Sequence, residues 1–279
     1  MQIIDGKALS LKLRKEIREE VTQLKEQGVE VGLAVILVGN NPASELYVKN
    51  KVKASEETGI TSYLIRFPDD VSEQELLDEI QRLNNDDKVS GILVQLPLPK
   101  HIDAQKVTAS IDVNKDVDGF SAYQTGLLSI GAPCLAPCTP QGVIELIKST
   151  GESISGKHAV VVGRSNIVGR PVIQLLLQND ATVTVCHSRT KNIEEYTRSA
   201  DILVVAIGRP RFVTKDMVKE GAIVIDVGIS RDENGKLCGD VDFDGVKDVC
   251  SFITPVPGGV GPMTVTMLMR NTYLAAKQR

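Results

Sequence analysis

Strand-length apolar runs alternate with helical patterns along the chain, and no internal repeat or low-complexity segment interrupts them. The runs "GLAVILVG", "HAVVVG" and "DILVVAIG" are typical of strands buried on both faces of a parallel sheet. A long amphipathic helix is predicted over 7–27, because its apolar residues share one stripe: Leu9, Leu13, Ile17, Val21 and Leu24. Alternation of this kind predicts an α/β fold with largely parallel sheets.

The segment "GLLSIGAPCLAPCTPQG", rich in glycine, proline and serine, separates two sets of such elements. We therefore expect two lobes with a cleft between them. We expect residues 1–119 to form an N-terminal three-layer α/β domain and residues 120–262 to form a doubly wound Rossmann-type domain. The last helix, about 263–279, follows "PVPGGVGP" and is expected to pack back on the first domain.

Composition excludes several classes of protein. The net charge of −4 favours neither nucleic acid nor an anionic membrane as partner, and the apolar runs are too short to span a bilayer. Five cysteines and three histidines lack the spacing of a zinc site, so we expect no metal and reduced thiols. Because "MQIIDGKALS" lacks the pattern of a signal or transit peptide, we expect a cytoplasmic protein.

The stretch "VVVGRSNIVGRPV" has the context of a dinucleotide-binding turn, since Gly163 ends a predicted strand and Gly169 begins a predicted helix. Glycine permits the tight turn, and helix N-terminal amides bind anions. The spacing is longer than in G-x-G-x-x-G, and Ser165 stands where a second glycine is usual. A nucleotide site is the preferred interpretation, and a plain turn remains the alternative.

The end of the next strand indicates which nucleotide. An NAD site usually places a carboxylate there to hold the ribose hydroxyls. Here the strand runs into His187, Ser188, Arg189 and Thr190, and no carboxylate is present. Hydroxyl and guanidinium groups suit a 2′-phosphate, as does Arg164 in the glycine turn. The pattern predicts NADP, unless the two arginines are only solvated loop residues.

Several polar residues are candidates for chemistry in the first half of the chain. Tyr47 and Lys51 lie four residues apart and hence on one helix face. This Tyr-x-x-x-Lys pair precedes the nucleotide turn, in contrast to the order in short-chain dehydrogenases. Gln95 ends a buried strand in "VQLPLPKH", where its amide needs a partner, and "KDVDGF" contains Asp116 and Asp118.

Seven motifs in order resemble the bifunctional methylenetetrahydrofolate dehydrogenase/cyclohydrolase family: "YVKNK", "VQLPLP", "KDVDGF", "PCTPQGV", "GRSNIVGRP", "HSRT" and "PVPGGVGPMT". Because the sequence printed here has no synthetase extension after Arg279, it resembles the form with two activities. The resemblance implies NADP-linked oxidation of 5,10-methylenetetrahydrofolate to the methenyl cation, followed by hydrolysis to 10-formyltetrahydrofolate. It also implies a homodimer, with tetrahydrofolate derivatives as substrates, serving one-carbon metabolism and purine biosynthesis.

The same resemblance assigns residue roles. It implies that Lys51 is the catalytic lysine, that Tyr47 stacks beside the folate, that Gln95 hydrogen-bonds the lysine, and that Asp118 anchors the pterin. The implied substrate-side segment consists of Pro257, Gly258, Gly259, Val260, Gly261 and Pro262. The cofactor contacts are Gly163, Arg164, Ser165, Ser188 and Ile229, to which the charge pattern adds Arg189.

Two other classes of protein are weighed against this one. A shikimate-type NADP dehydrogenase would have a similar two-lobe architecture and a lysine from its first lobe, but "VQLPLP" and "PGGVGP" argue against it. A non-catalytic nucleotide-binding protein would have no use for Lys51, Gln95 and Asp118 together. The hydride step needs chiefly alignment of the reactants, whereas hydrolysis also needs proton transfer, for which a lysine of lowered pKa is suited.

Overall fold

The computed structural model describes residues 1–278 and divides the chain into two compact units. The first unit contains Leu11–Cys138 and Val265–Arg279, and the second contains Met1–Ser10 and Thr139–Thr264. This division differs from the boundaries at 119 and 262 expected from the sequence. Residues 120–138 group with the first unit, and the first ten residues group with the second.

The elements of the first part of the chain are β1 (Gln2–Ile3), α1 (Gly6–Glu26), β2 (Gly32–Val38), α2 (Pro42–Thr58), β3 (Thr61–Phe67), α3 (Glu73–Asn84), β4 (Gly91–Val94), α4 (Ala104–Ala109) and α5 (Ala122–Ser129). Those that follow are α6 (Cys138–Lys148), β5 (His158–Val162), α7 (Gly169–Gln178), β6 (Thr182–Cys186), α8 (Ile193–Thr197), β7 (Ile202–Val205), a 3-10 helix (Lys215–Met217), β8 (Ile223–Asp226), β9 (Ser230–Arg231), β10 (Leu237–Cys238), α9 (Phe243–Val246), β11 (Phe252–Ile253) and α10 (Val260–Lys277).

The first unit is built on a three-stranded parallel sheet in the order β3-β2-β4. All seven residues of the central strand β2 are buried, as expected for a strand covered on both faces. Helix α3 begins with a capping box in which Ser72 and Glu75 satisfy each other's backbone amides. Its residues Leu76, Ile80 and Leu83 pack into the core against this sheet.

The second unit contains a six-stranded parallel sheet in the order β1-β11-β8-β7-β5-β6. The chain leaves β5 toward β6 on one side and then returns to β7 on the other side. The carboxyl ends of β5 and β7 therefore flank the point at which the strand order reverses. In open α/β sheets, ligands bind at such a point.

The structure confirms the α/β fold class, the parallel sheets and most of the predicted elements. Helix α10 begins at Val260, three residues before the predicted start at about Met263. Its first turn contains Pro262, which is tolerated there because the first amides of a helix have no acceptor within it. Strand β1 was not predicted, because two residues are too few to show a periodicity. Within residues 1–278, no helix combines the length and apolar character required to span a membrane.

Candidate functional site

A lysine and a glutamine meet at the carboxyl end of β4. Lys51 projects from α2, and its Nζ donates a hydrogen bond of 2.8 Å to Oε1 of Gln95. Gln95 immediately follows β4, and its backbone amide donates to the carbonyl of Ile36 in β2. Its side-chain Nε2 donates to the carbonyl of Leu96 at 2.7 Å. The amide group is therefore held at both ends and presents its oxygen to the lysine.

Asp118 lies on a turn that neighbouring groups hold in place. Asp116, two residues earlier, is buried and forms a parallel bridge to Ile92 in β4. Its carboxylate accepts hydrogen bonds from the amides of Gly119 and Ser121 at 3.0 and 2.8 Å. Gly119 has φ +69°, and a Cβ there would lie 2.1 Å from the carbonyl oxygen of Leu135. Asp116 and Gly119 thus build the turn that carries Asp118.

The two ionisable groups alter each other's titration. Burial lowers the pKa of the Lys51 ammonium, and the negative charge of Asp118 opposes this shift. Burial also raises the pKa of Asp118 to about 6, against the effect of the Lys51 charge and with a contribution from Asp116. A lysine that is more easily deprotonated beside a carboxyl that titrates near neutrality can exchange protons with a bound substrate.

The structure adds two residues that sequence reasoning did not single out. Nδ2 of Asn271, in α10, donates to the carbonyls of Val117 and Ala136 at 2.8 and 2.9 Å. The buried thiol of Cys138 donates to the same Val117 carbonyl at 3.3 Å. These groups secure the backbone directly before Asp118. Because they are distant from it in sequence, no local pattern could have predicted their role.

Tyr47 is one turn before Lys51 on α2, as predicted. The residue is 46% exposed. An exposed aromatic ring on the same helix face as a partly buried lysine is suited to stacking on a flat heteroaromatic ligand. Tyr47, Lys51, Gln95 and Asp118 all belong to the first unit.

The glycine turn predicted at "GRSNIVGRP" connects β5 to α7. A Cβ on Gly163 would lie 2.2 Å from the carbonyl oxygen of Ala206, and one on Gly169 would lie 2.4 Å from the carbonyl oxygen of Gly163. Oγ of Ser165 accepts hydrogen bonds from the amides of Val168 and Gly169, both at 3.3 Å. Ser165 therefore satisfies amides at the beginning of α7, which is the usual role of a serine side chain at a helix N-terminus.

A cleft of about 430 Å³ lies in the second unit at the carboxyl ends of β5, β6 and β7. Its volume is in the range of cofactor sites. Four of the predicted cofactor contacts line it: Gly163, Arg164, Ser165 and Ser188. The other lining residues, which the sequence had not marked as cofactor contacts, are Val162, His187, Thr190, Ile193, Ala206, Ile207, Arg209 and Phe212.

Two predicted cofactor contacts, Arg189 and Ile229, are not among the residues that line this cleft. Arg189 is exposed on the tight turn after β6, and its amide donates to Nδ1 of His187 at 3.2 Å. Ile229 is 53% exposed after β8. No described contact tests their roles, which stay predictions.

The predicted substrate-side segment from Pro257 to Pro262 follows β11 after three residues and includes the first three residues of α10. It packs tightly against its own unit, since a Cβ on Gly6 would lie 1.9 Å from the carbonyl oxygen of Gly259. The amide of Lys7 donates to the carbonyl of Gly258 at 3.0 Å. The segment is thus held by the beginning of α1.

Within residues 1–278, no group of three or more histidine, cysteine, aspartate or glutamate side chains could hold a metal ion. All five cysteines are free thiols.

Comparison with known proteins agrees with this geometry. The family model of the tetrahydrofolate dehydrogenase/cyclohydrolase catalytic domain matches residues 4–118, and that of the NAD(P)-binding domain of the same family matches residues 137–279. The bifunctional protein FolD of Bacillus anthracis is 59% identical over 276 residues, which are 99% of this chain and 96% of that protein.

Solved structures give the same result. The bifunctional enzyme FolD, methylenetetrahydrofolate dehydrogenase/cyclohydrolase, from Campylobacter jejuni superposes with a TM-score of 0.97 at 52% identity, covering 100% of this chain and 99% of that one. The corresponding enzyme of Trypanosoma brucei, solved with NADP and an inhibitor, has a TM-score of 0.93 at 40% identity and covers 99% and 97%. These similarities favour the folate enzyme over a shikimate-type dehydrogenase, and the chain belongs to the tetrahydrofolate dehydrogenase/cyclohydrolase family.

Proposed function

We propose that Lys51, Gln95 and Asp118 carry out the folate chemistry of this family and that the cleft after β5, β6 and β7 holds NADP. The chain is a bifunctional enzyme. It oxidises 5,10-methylenetetrahydrofolate with NADP and hydrolyses the resulting 5,10-methenyl cation to 10-formyltetrahydrofolate. The observation that carries the residue assignment is the hydrogen bond from the Lys51 ammonium to Gln95, beside a carboxyl group of raised pKa.

For the oxidation, the chain's residues have chiefly to orient the substrate. The carboxylate of Asp118 accepts hydrogen bonds from pterin N–H groups, and the exposed ring of Tyr47 stacks on the folate. The methenyl cation that forms is stabilised by its own two flanking nitrogens, so this step needs alignment more than proton transfer. The nicotinamide ring of NADP, when bound, accepts the hydride.

For the hydrolysis, Lys51 in its neutral form accepts a proton from the water that attacks the methenyl carbon. The ammonium then returns a proton to the folate nitrogen whose bond to that carbon breaks. Gln95 holds the amine in place through the hydrogen bond of 2.8 Å. Burial favours this role, because it lowers the pKa of Lys51 and so increases the neutral fraction.

For the cofactor, the glycine turn and the end of β6 supply different contacts. The absence of a Cβ at Gly163 and Gly169 keeps backbone atoms close together in the turn. The Ser165 hydroxyl, which accepts from two amides, directs its own hydrogen toward a phosphate. Arg164 and Ser188, both lining the cleft, bind the 2′-phosphate. The family resemblance supports two further assignments. Arg189 and Ile229 contact NADP, and the segment from Pro257 to Pro262 contacts the folate.

We further propose that the enzyme is a cytoplasmic homodimer whose product enters purine biosynthesis. The composition and the family resemblance support this proposal. Independence from nucleic acid and membranes stays a prediction from the net charge of −4. Light scattering of the purified protein at several concentrations tests the dimer.

Two spectrophotometric rates test the proposed function. The first is reduction of NADP or NAD in the presence of methylenetetrahydrofolate, and the second is loss of added methenyltetrahydrofolate above the uncatalysed rate. We expect both activities, with NADP preferred. Turnover of shikimate without turnover of the folate would contradict the proposal. An equal preference for NAD would contradict the assignment of Arg164 and Ser188 to the 2′-phosphate.

A further inference from the structure

The loop that follows β7 forms one wall of the nucleotide cleft, through Ala206, Ile207 and Arg209. Its backbone amides do not face the cleft. Ile207 and Gly208 donate to Oδ2 of Asp240 at 2.7 and 2.9 Å, and Arg209 donates to Oδ1 at 2.8 Å. A single carboxylate thus binds three consecutive amides from behind the loop.

Asp240 is fully buried, at 0% exposure, and its own backbone is held by a second carboxylate. Oδ1 of Asp226, at the end of β8, accepts from the amides of Gly228 and Asp240 at 2.9 Å, and Oδ2 accepts from Val241 at 2.9 Å. Asp226 is 3% exposed. Two buried carboxylates therefore connect the end of β8 to the loop after β7 through six backbone amides.

Close packing around both carboxylates leaves them little freedom. A Cβ on Gly239 would lie 1.9 Å from Oδ2 of Asp226, and one on Gly228 would lie 2.3 Å from Cγ of Asp240. The backbone near Asp240 also pairs with the chain after the loop, since Arg211 donates to the carbonyl of Gly239 at 3.0 Å. Rotation of either carboxylate would break several hydrogen bonds at once.

We propose that Asp240, held by Asp226, is a positioning residue for the nucleotide. It does not contact the nucleotide and acts only through the loop of residues 206–209. Neither carboxylate lines the cleft. By turning the amides inward, Asp240 directs the side chains of Ile207 and Arg209 to the cleft wall. There the Arg209 guanidinium lies 4.7 Å from the centroid of the Phe212 ring. The inference rests on the proposed function, because it takes this cleft as the NADP site.

The variant Asp240→Asn tests the role with little change in size. An asparagine has one acceptor oxygen and an NH2 group, so it must leave at least one of the three amides facing a donor. Since hydrogen bonds to charged groups are the stronger ones, we expect the Kd for NADP, measured by fluorescence titration, to increase about tenfold or more. Hydrolysis of methenyltetrahydrofolate needs no cofactor, and without NADP its rate should stay within about twofold of wild type.

The matched control is Asp232→Asn in the turn between β9 and β10. Oδ1 of Asp232 also accepts two backbone amides, from Asn234 and Lys236 at 3.0 Å, but the residue does not line the cleft. We expect this variant to bind NADP as the wild type does. An equal loss of NADP affinity in both variants would contradict a specific role for Asp240, as would unchanged affinity in Asp240→Asn.

A second variant changes the loop and leaves Asp240 in place. Gly208 has φ +66° and open space around its Cα, so Gly208→Ala strains the loop backbone without a steric clash. Gly151→Ala, at φ +80° with equally open space in the same unit, is its control. We expect weaker NADP binding only in Gly208→Ala, with hydrolysis retained.

The outcomes distinguish a failure of the proposed function from a failure of the positioning role alone. If the wild type does not bind NADP, the proposed function fails, whatever the variants do. If the wild type binds it and a folded Asp240→Asn protein binds it equally well, only the positioning role fails, whatever Gly208→Ala does. If Asp240→Asn loses hydrolysis and unfolds, Gly208→Ala decides, and normal NADP binding by that variant overturns the proposal.

Discussion

Replacement of Lys51 by methionine should separate the two activities of this enzyme. Methionine keeps much of the apolar stem and removes the amine, including the hydrogen bond of 2.8 Å to Gln95. Loss of a positioned acid–base group typically lowers a rate about 10²–10⁴-fold. The unpaired Gln95 oxygen should also cost about 1–3 kcal/mol if it remains away from water. We expect hydrolysis to fall by the full factor and oxidation to fall much less, because the substrate's nitrogens stabilise the cation.

The assay is a pair of rates on the purified variant, NADPH formation from methylenetetrahydrofolate and loss of added methenyltetrahydrofolate above background. Lys49→Met is the matched control, since Lys49 is exposed on the same helix two residues earlier and faces another direction. That variant should keep both activities. Intact hydrolysis in a folded Lys51→Met protein would refute the assignment of Lys51. An equal loss of both rates would show that Lys51 mainly positions the substrate.

Three further predictions concern cofactor and folate binding. Arg164→Ala should weaken the binding of NADP at least about tenfold more than the binding of NAD, since one charge-assisted contact to phosphate is worth about 1.5–3 kcal/mol. The control is Arg170→Ala, because Arg170 is exposed on α7 and does not line the cleft. Equal losses of affinity for both cofactors would contradict the role of Arg164. Asp118→Ala should impair both activities through their shared substrate, and near-normal kinetics would make Asp118 a turn residue only. Because the pKa of Asp118 is raised to about 6, its accepting carboxylate form is lost as the pH falls through that value. The KM for folate should therefore rise about tenfold for each pH unit well below 6, and a profile without this increase, or one shared by Asp118→Asn, would refute the assignment.

The strands and helices of this protein follow from the sequence because their causes are local. The fully buried β2 appears as a continuous apolar run, and the amphipathic stripe of α1 appears at helical spacing. The glycine turn after β5 could be predicted for the same reason, since its residues are neighbours along the chain. The motifs around Lys51, Gln95 and Asp118 could be matched in order to a family, although each is weak by itself.

The tertiary structure determines which groups hold these motifs in place and how their side chains titrate. The pairing of Lys51 with Gln95 joins residues 44 positions apart, and Asn271 secures Val117 from 154 positions away. The lowered pKa of Lys51 and the raised pKa of Asp118 arise from burial, which depends on the packing of the whole unit. Asp240 has no sequence signature of its role, because the three amides that it binds lie more than thirty residues earlier. Sequence periodicity reports what neighbouring residues share, whereas hydrogen bonding and desolvation depend on which distant residues the fold brings together.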